Sequence, residues 1–249
     1  MGPCRLLEED DELAEALQEP VRERATLECI CRAITLRPGN WDGMPVADIG
    51  KGIGLLVLEG LLVRRVGVDA RFGAELLGEG DLLRPPQADA EAAAPTLTVP
   101  TGWRMLVPTR MAILDEPFAM RLGRYPQLIG LLVERALRRS RDLALNMAII
   151  HQARVEIRLH MLLWHLAARW GRVGREGIML PLHLTHEVLA DLVAARRPTV
   201  TSALSGLSKR GLVRSIERGW LLTGDPPGEL YELAPLPTSS TAEAVAHTR

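Results

Sequence analysis

The most specific chemistry in this 249-residue chain lies between positions 185 and 213. Thr185 is a helix-capping residue type, because its hydroxyl can accept from a backbone N–H of the first turn. Val188, Leu189 and Leu192 follow on one face, and Ala194, Ala195 and Arg196 permit a tight turn. Pro198 suits the first turn of a second helix, where its missing N–H would have no intrahelical partner. Val200, Ala203, Leu204 and Leu207 then recur at i, i+3, i+4 and i+7, and Gly211 closes the segment. Two short amphipathic helices with a short connection are the helix-turn-helix pattern. The face opposite the apolar stripe carries Arg197, Pro198, Thr201, Ser202, Ser205 and Lys209. Arginine can bond bidentately to guanine and hydroxyls can reach phosphates or base edges, so this face suits a DNA major groove. Residues 212–216 and 220–223, joined by Glu217, Arg218 and Gly219, read as a hairpin wing whose Arg214 and Arg218 can meet backbone phosphate. A solvated helical hairpin that binds nothing is the plain alternative, and a wing that docks protein is another.

Other chemistries fit less well. His160 and His165 are five apart and His183 and His186 three apart, without the cysteine or carboxylate company that a zinc site needs. His186-Glu187 begins like a metalloprotease helix motif, but Ala190 stands where its second histidine belongs. Gly50-Lys51-Gly52-Ile53-Gly54 has the wrong spacing for a dinucleotide fingerprint, and strands rather than a helix follow it. No nucleophile and base stand in a catalytic arrangement, so the expectation is a protein that is not an enzyme, with no metal and no cofactor. The three cysteines lie in the first 31 positions, and Cys29-x-Cys31 is neither a zinc ribbon nor a CxxC motif. They fit a reducing cytoplasm and leave a simple thiol sensor at Cys29 or Cys31 open.

The elements that must position the DNA-facing residues are legible in the texture of the chain. A hydrophobic content of 47% against 24% charged residues supports a buried core and argues against disorder. The formal net charge of −1 conceals an asymmetry: residues 1–20 hold seven acids against Arg5, while residues 171–224 hold eight bases against four acids. Residues 1–40 read as an acidic, partly helical lead-in. Residues 41–124 show short apolar runs punctuated by Gly, Pro and Asp, the texture of a sandwich or rolled β-barrel. Residues 125–170 carry Leu128, Leu132, Leu143, Met147, Ile150, Leu159, Leu162 and Leu166 largely at helical spacing. This predicts one helix, or a short and a long one broken near 138–141. A helix of that length needs a partner along its apolar face, so Leu143, Met147 and Ile150 are candidates for a dimer interface. Residues 171–225 are the winged helix-turn-helix, and 226–249 a Pro, Thr, Ser and Ala-rich tail expected to be flexible. No apolar run is long enough to span a bilayer, and the N-terminus lacks a signal pattern, so a cytoplasmic protein without membrane attachment is expected.

The stretch THEVLADLVAARRPTVTSALSGL at 185–207 resembles the winged helix-turn-helix of the cyclic-AMP receptor protein and fumarate-nitrate regulator (Crp-Fnr) superfamily of bacterial transcription regulators. RLHMLLWHLA at 158–167, GDLL at 80–83 and PTRMAILD at 108–115 extend the likeness to a helix and a barrel in the same order. The resemblance implies an α+β fold: an N-terminal rolled β-barrel like a cyclic-nucleotide-binding domain, a long dimerisation helix and a C-terminal winged helix-turn-helix. It implies a homodimer that regulates transcription by reading a two-fold symmetric site on double-stranded DNA, with RNA polymerase as a further candidate partner. Carried over by position, Arg197 and Ser202 fall where the family contacts bases, with Pro198 between them and Thr201 beside them. Thr185, His186, Arg196 and Thr199 fall where it approaches phosphates, and Ser205, Lys209, Arg214 and Arg218 join them as phosphate candidates from the residue pattern.

The departures bear on the effector. Cyclic-nucleotide-binding members carry a Gly-Glu pair after the Gly-Asp stretch and an Arg-Ser/Thr-Ala segment beyond it. Here Arg84-Pro85 replace the pair, and Leu143-Ala144 stand where hydroxyl residues meet the adenine. A buried phosphate needs charge and N–H donors, and a purine edge needs a polar partner. The pocket of Arg84, Pro85, Leu143 and Ala144 is therefore expected to be degenerate and not to bind cyclic AMP. A different small ligand, including an anion at Arg84, and a thiol redox signal stay as alternatives.

Overall fold

The computed structural model describes residues 1–42, 52–68, 71–84 and 101–230. They form two compact units, one of residues 1–151 with 184–200, the other of residues 152–183 with 201 onward.

The first unit opens with strand β1 (Gly2–Arg5) and helices α1 (Leu6–Glu9), α2 (Asp11–Glu15) and α3 (Val21–Glu28). Strands β2 (Ile30–Leu36), β3 (Gly39–Trp41), β4 (Gly54–Glu59), β5 (Leu61–Val68), β6 (Arg71–Gly78), β7 (Leu82–Leu83), β8 (Thr101–Met105) and β9 (Thr109–Leu114) follow. They make two antiparallel sheets, of order β1-β2-β9-β4-β7 and β3-β8-β5-β6. Among the described residues no ladder joins the two, so the rolled β-domain is a pair of sheets rather than a closed barrel. The lead-in belongs to it, since β1 and β2 continue the first sheet.

The period-2 alternation of strands sets the layers. Leu55 and Val57 of β4 join Met111, Ile113, Leu62 and Trp103 in a core shared by both sheets. Their neighbours Leu56 and Leu58 join Ala112, Leu114, Leu13 and Phe118 in a second core between the first sheet and the helices. β4 is thus buried on both faces, which is why its sequence is a continuous apolar run rather than an alternating one.

Helix α4 (Glu116–Leu122) starts at Asp115, whose carboxylate accepts from the Phe118 N–H at 3.0 Å. Helix α5 (Pro126–Ile150) has Pro126 at its first position, where no intrahelical N–H bond is lost. Of the two readings of 125–170, the break near 138–141 is not found; α5 runs through it, and the interruption lies at 151–154 before α6 (Val155–Trp170). The arginines that suggested a break are bonded within the unit: Arg138 lies 3.5 Å from Glu12, and Arg139 2.6 Å from Glu75. The acidic lead-in has the same explanation. Arg135, 5% exposed, is bidentate to Asp10 at 2.6 and 2.8 Å and also bonds Glu12. Glu9 pairs with Arg110, and Glu28 accepts from Tyr125 at 2.8 Å and Arg124 at 3.1 Å. The hydrogen-bonded Arg135 guanidinium holds Glu12 below the usual carboxylate range.

The second unit holds α6 and strands β10 (Arg172–Gly174), β11 (Gly177–Leu180), β12 (Val213–Ile216) and β13 (Gly219–Leu222), in sheet order β10-β11-β13-β12. Two glycines make its close approaches possible. A Cβ on Gly219 would stand 2.1 Å from the Leu180 carbonyl oxygen, and one on Gly177 2.1 Å from that of Leu222. Both have positive φ, 141° in each case. Helix α7 (His186–Leu192) belongs to the first unit, and α8 (Arg197–Lys209) is one continuous helix.

Candidate nucleic-acid interface

Helix α7 begins as its sequence requires: the Thr185 hydroxyl accepts from the Val188 N–H at 3.3 Å. It ends in a tight turn in which the Ala195 N–H donates to Ala190 at 2.9 Å and Ala194 takes φ 49°. That left-handed conformation costs a residue with a Cβ about 1 kcal/mol. Helix α8 starts at Arg197 with Pro198 second, and Val200, Leu204 and Leu207 are buried. Gly211, φ 72°, lets the Leu212 N–H return to the Leu207 carbonyl at 3.0 Å and closes the helix.

Burial sorts the sequence-derived residues cleanly. Arg197, Pro198, Thr201 and Ser202 are exposed, as are Thr199, Ser205 and Lys209 on the same helix. Thr185, Arg196, Arg214 and Arg218 are exposed, and His186 is half-buried. The wing is the β12–β13 hairpin, in register Ile216 with Gly219, so Glu217 and Arg218 form its two-residue tip. Arg214 is ion-paired at 2.7 Å to Glu176 in the turn between β10 and β11. Sequence reading missed Glu176, because β10 and β11 are short and their glycine-rich stretch resembles loop.

In α6, Trp164 donates its indole N–H to His160 Nε2 at 3.0 Å. Burial holds the His160 pKa below its ordinary range, and the nearby Arg210 charge adds to this. His160 is therefore a neutral packing residue. Among the described residues no group of three or more His, Cys, Asp and Glu is placed to hold a metal ion, and no helix is long and apolar enough to cross a membrane.

Each described residue of the expected effector pocket has its own neighbours. The Arg84 guanidinium donates to the Gly52 carbonyl at 3.1 Å, Pro85 lies outside the described residues, and Ala144 is exposed. Leu143 instead lines a cleft of about 260 Å³ with Met147, Ile150, Arg64, Glu75 and Asn146. Buried Glu75 is gripped there by Arg64 at 2.5 Å and Arg139 at 2.6 Å. The dimer candidates Leu143, Met147 and Ile150 thus share a cleft with their own unit's strands. A second apolar row, Ile129, Val133 and Leu137 at i, i+4 and i+8 of α5, is 39%, 53% and 57% exposed. Its spacing was available in the sequence but was hidden beside the buried row of Leu128 and Leu132.

Residues 157–228 match the family of Crp-like helix-turn-helix domains. A sequence search of curated proteins returned no match. Among solved structures, a cyclic nucleotide-binding domain containing protein from Listeria monocytogenes EGD-e is similar at TM-score 0.62 and 15% identity, covering 85% of this chain and 96% of that one. FixK2 from Bradyrhizobium japonicum is similar at TM-score 0.57 and 16% identity, covering 78% of this chain and 93% of that one. The c-di-GMP responsive global regulator CLP from Xanthomonas campestris is similar at TM-score 0.55 and 16% identity, covering 87% of this chain and 100% of that one. Residues 157–228 thus match a Crp-like helix-turn-helix domain, and the chain shares its fold with these three solved structures over 78–87% of its length.

Proposed function

We propose that the protein is a homodimeric, sequence-specific DNA-binding transcription regulator that does not require cyclic AMP. The observation that carries this reading is helix α8. Its buried stripe of Val200, Leu204 and Leu207 leaves Arg197, Pro198, Thr201 and Ser202 at the surface. Arg197 is the bidentate base reader, Thr201 and Ser202 reach base edges, and Pro198 contributes apolar contact alone. Thr185, His186, Arg196, Thr199, Ser205, Lys209, Arg214 and Arg218 serve the phosphates, fixing orientation without reading sequence. Self-association runs along α5, and the exposed row of Ile129, Val133 and Leu137 supports it, since an apolar row of that length on a helix calls for a partner. The absence of cyclic-AMP dependence rests on Leu143 and Ala144, which offer a purine no hydrogen bond, and on Arg139, whose guanidinium is already bonded to Glu75 and the Leu82 carbonyl.

The test is selection of genomic fragments by the purified protein without effector at ~150 mM salt, since affinity is interpretable only at stated salt. The expected result is a two-fold symmetric motif with half-sites about one helical turn apart. Binding that is weak and has no sequence preference would overturn the reading in favour of a wing that docks protein. A motif that emerges only when a metabolite is added would replace constitutive binding with control by a different small ligand.

A further inference from the structure

DNA recognition leaves the cysteines unused, and two of them face each other. Strand β1 pairs with β2 so that Cys4 lies directly opposite Cys31. Both are buried and free, and the Cys31 thiol is hydrogen-bonded to the Cys4 sulfur. Directly opposed residues of an antiparallel pair have Cα atoms about 4.5–5.5 Å apart. A disulfide spans Cα separations of about 4.4–6.8 Å. Among the described residues β1 is an edge strand with a neighbour on one side only, so the final approach of the two sulfurs disturbs no second ladder there.

The surroundings give the two thiols different parts. The bond from Cys31 holds the Cys4 pKa below the usual thiol value, and the Arg110 guanidinium adds to this. Cys31 is pushed up by the same bond and by burial, so it keeps its proton. A cleft of about 530 Å³, lined by Gly2, Pro3, Cys31, Arg32, Asp115 and Arg121, opens at Cys31. Cys29 is placed differently. It precedes β2, its carbonyl accepts from Leu6, and burial together with the Glu28 charge pushes its thiol up to about 11.

We propose that Cys4 and Cys31 are a redox modification site that closes a reversible intrachain disulfide when it meets a hydroperoxide. The Cys4 thiolate attacks the peroxide, an S–O bond forms as the O–O bond breaks, and the departing oxygen leaves as water or alcohol after taking a proton. The Cys31 sulfur then attacks the Cys4 sulfenic acid; the S–S bond forms, the S–O bond breaks, and water leaves with the Cys31 proton. Two thiols lose two electrons and the peroxide gains them. The bond fastens β1 to the sheet, and with it the lead-in whose Glu9, Asp10 and Glu12 hold Arg110 and Arg135.

The experiment treats the reduced full-length protein with hydrogen peroxide, alkylates it, digests it without reductant and maps the peptides by mass spectrometry. The expected product is a Cys4–Cys31 linked peptide that holds most of the oxidised thiol, disappears with dithiothreitol and forms equally well in Cys29→Ser. Arg110→Gln should slow its appearance several-fold while leaving the same link. Recovery of Cys4 and Cys31 as alkylated thiols would overturn the proposal. So would oxidation confined to sulfinic acids, to links with Cys29, or to links between chains. The wild-type map decides the matter even where a variant fails to fold, and it is independent of whether the protein binds DNA.

Discussion

In the N-terminal unit Arg135 is 5% exposed and bonded to two carboxylates, whereas in the winged sheet Arg214 is 62% exposed and meets one carboxylate across a turn. The chemical groups are the same, and their surroundings reverse their roles. Where water is excluded, an arginine without its carboxylate is an uncompensated charge, so Arg135, Arg139 and Arg64 act as internal struts. Where water is present, the pair is nearly neutral in energy and the guanidinium can exchange one anion for another. A near-zero net charge therefore says little here, because the acids of the lead-in neutralise struts while the bases of the winged region remain at the surface.

The largest effect should come from breaking a strut. Arg135→Met leaves Asp10, 9% exposed, facing no cation from α5, and the expected loss is about 3–5 kcal/mol of unfolding free energy. Urea denaturation monitored on the N-terminal unit measures it. Because Arg135 holds Glu12 below its usual range, that share of the stability is present above about pH 4.3 and disappears as the pH falls. A cost under ~1 kcal/mol would mean that the carboxylates rehydrate, and the contrast between the two regions would fail.

Next in size is a surface arginine whose removal should leave the fold intact. Arg197→Ala should weaken binding to the selected site by about 1–3 kcal/mol and relax preference at one base pair per half-site, with the urea midpoint unchanged. Titration against the motif and against single-base variants of it reads both quantities. Uniform weakening across all sequences would reassign Arg197 to the phosphates.

The two regions also differed in how far their sequences could be read. Helix α8 was legible because its evidence is local: the spacing of Val200, Ala203, Leu204 and Leu207, a proline near its start and Gly211 at its end. Helix α5 stays open in the sequence between one helix and a break near 138–141, because its evidence is distant. Arg138 and Arg139 look like a solvated break until Glu12 and Glu75, far away in sequence, are brought alongside them. β2 was hidden in an acidic helical context, and β10 and β11 were too short to show alternation. The effector residue Leu143 was placed by resemblance, which carries alignment but not the Arg64–Glu75 packing beside it here.

A smaller effect sharpens the contrast inside the winged unit. Burial lowers the His160 pKa, and Arg210 adds to the shift, so the unfolded chain takes up a proton before the folded one does. The stability His160 contributes is present above about pH 6.5 and is lost as the pH falls below it, by at most ~1.4 kcal/mol per pH unit. His160→Gln, which retains an acceptor for Trp164, should flatten that slope between pH 7.5 and 5.5 in urea titrations (~1 kcal/mol over the range).

The smallest effect tests whether the exposed pair is exchangeable at all. Glu176 is 74% exposed and lies 2.7 Å from Arg214, so in the free protein it occupies the guanidinium that the DNA phosphate would take. An exposed pair contributes roughly 0–1 kcal/mol, so its loss costs the fold little and removes a competitor for phosphate. Glu176→Gln should therefore tighten binding to every duplex, with or without the motif, by up to about 5-fold. It should also steepen the fall of log affinity with log salt, by up to ~0.9 for a phosphate newly neutralised. Specificity should stay unchanged, because a phosphate contact carries no sequence information. If Glu176→Gln and Arg214→Ala both leave affinity and salt slope as they were, Arg214 does not reach the DNA. The wing would then be a support for β11 and β13 rather than a contact, and the exposed arginines of this region would have to be divided into those that meet DNA and those that only face water.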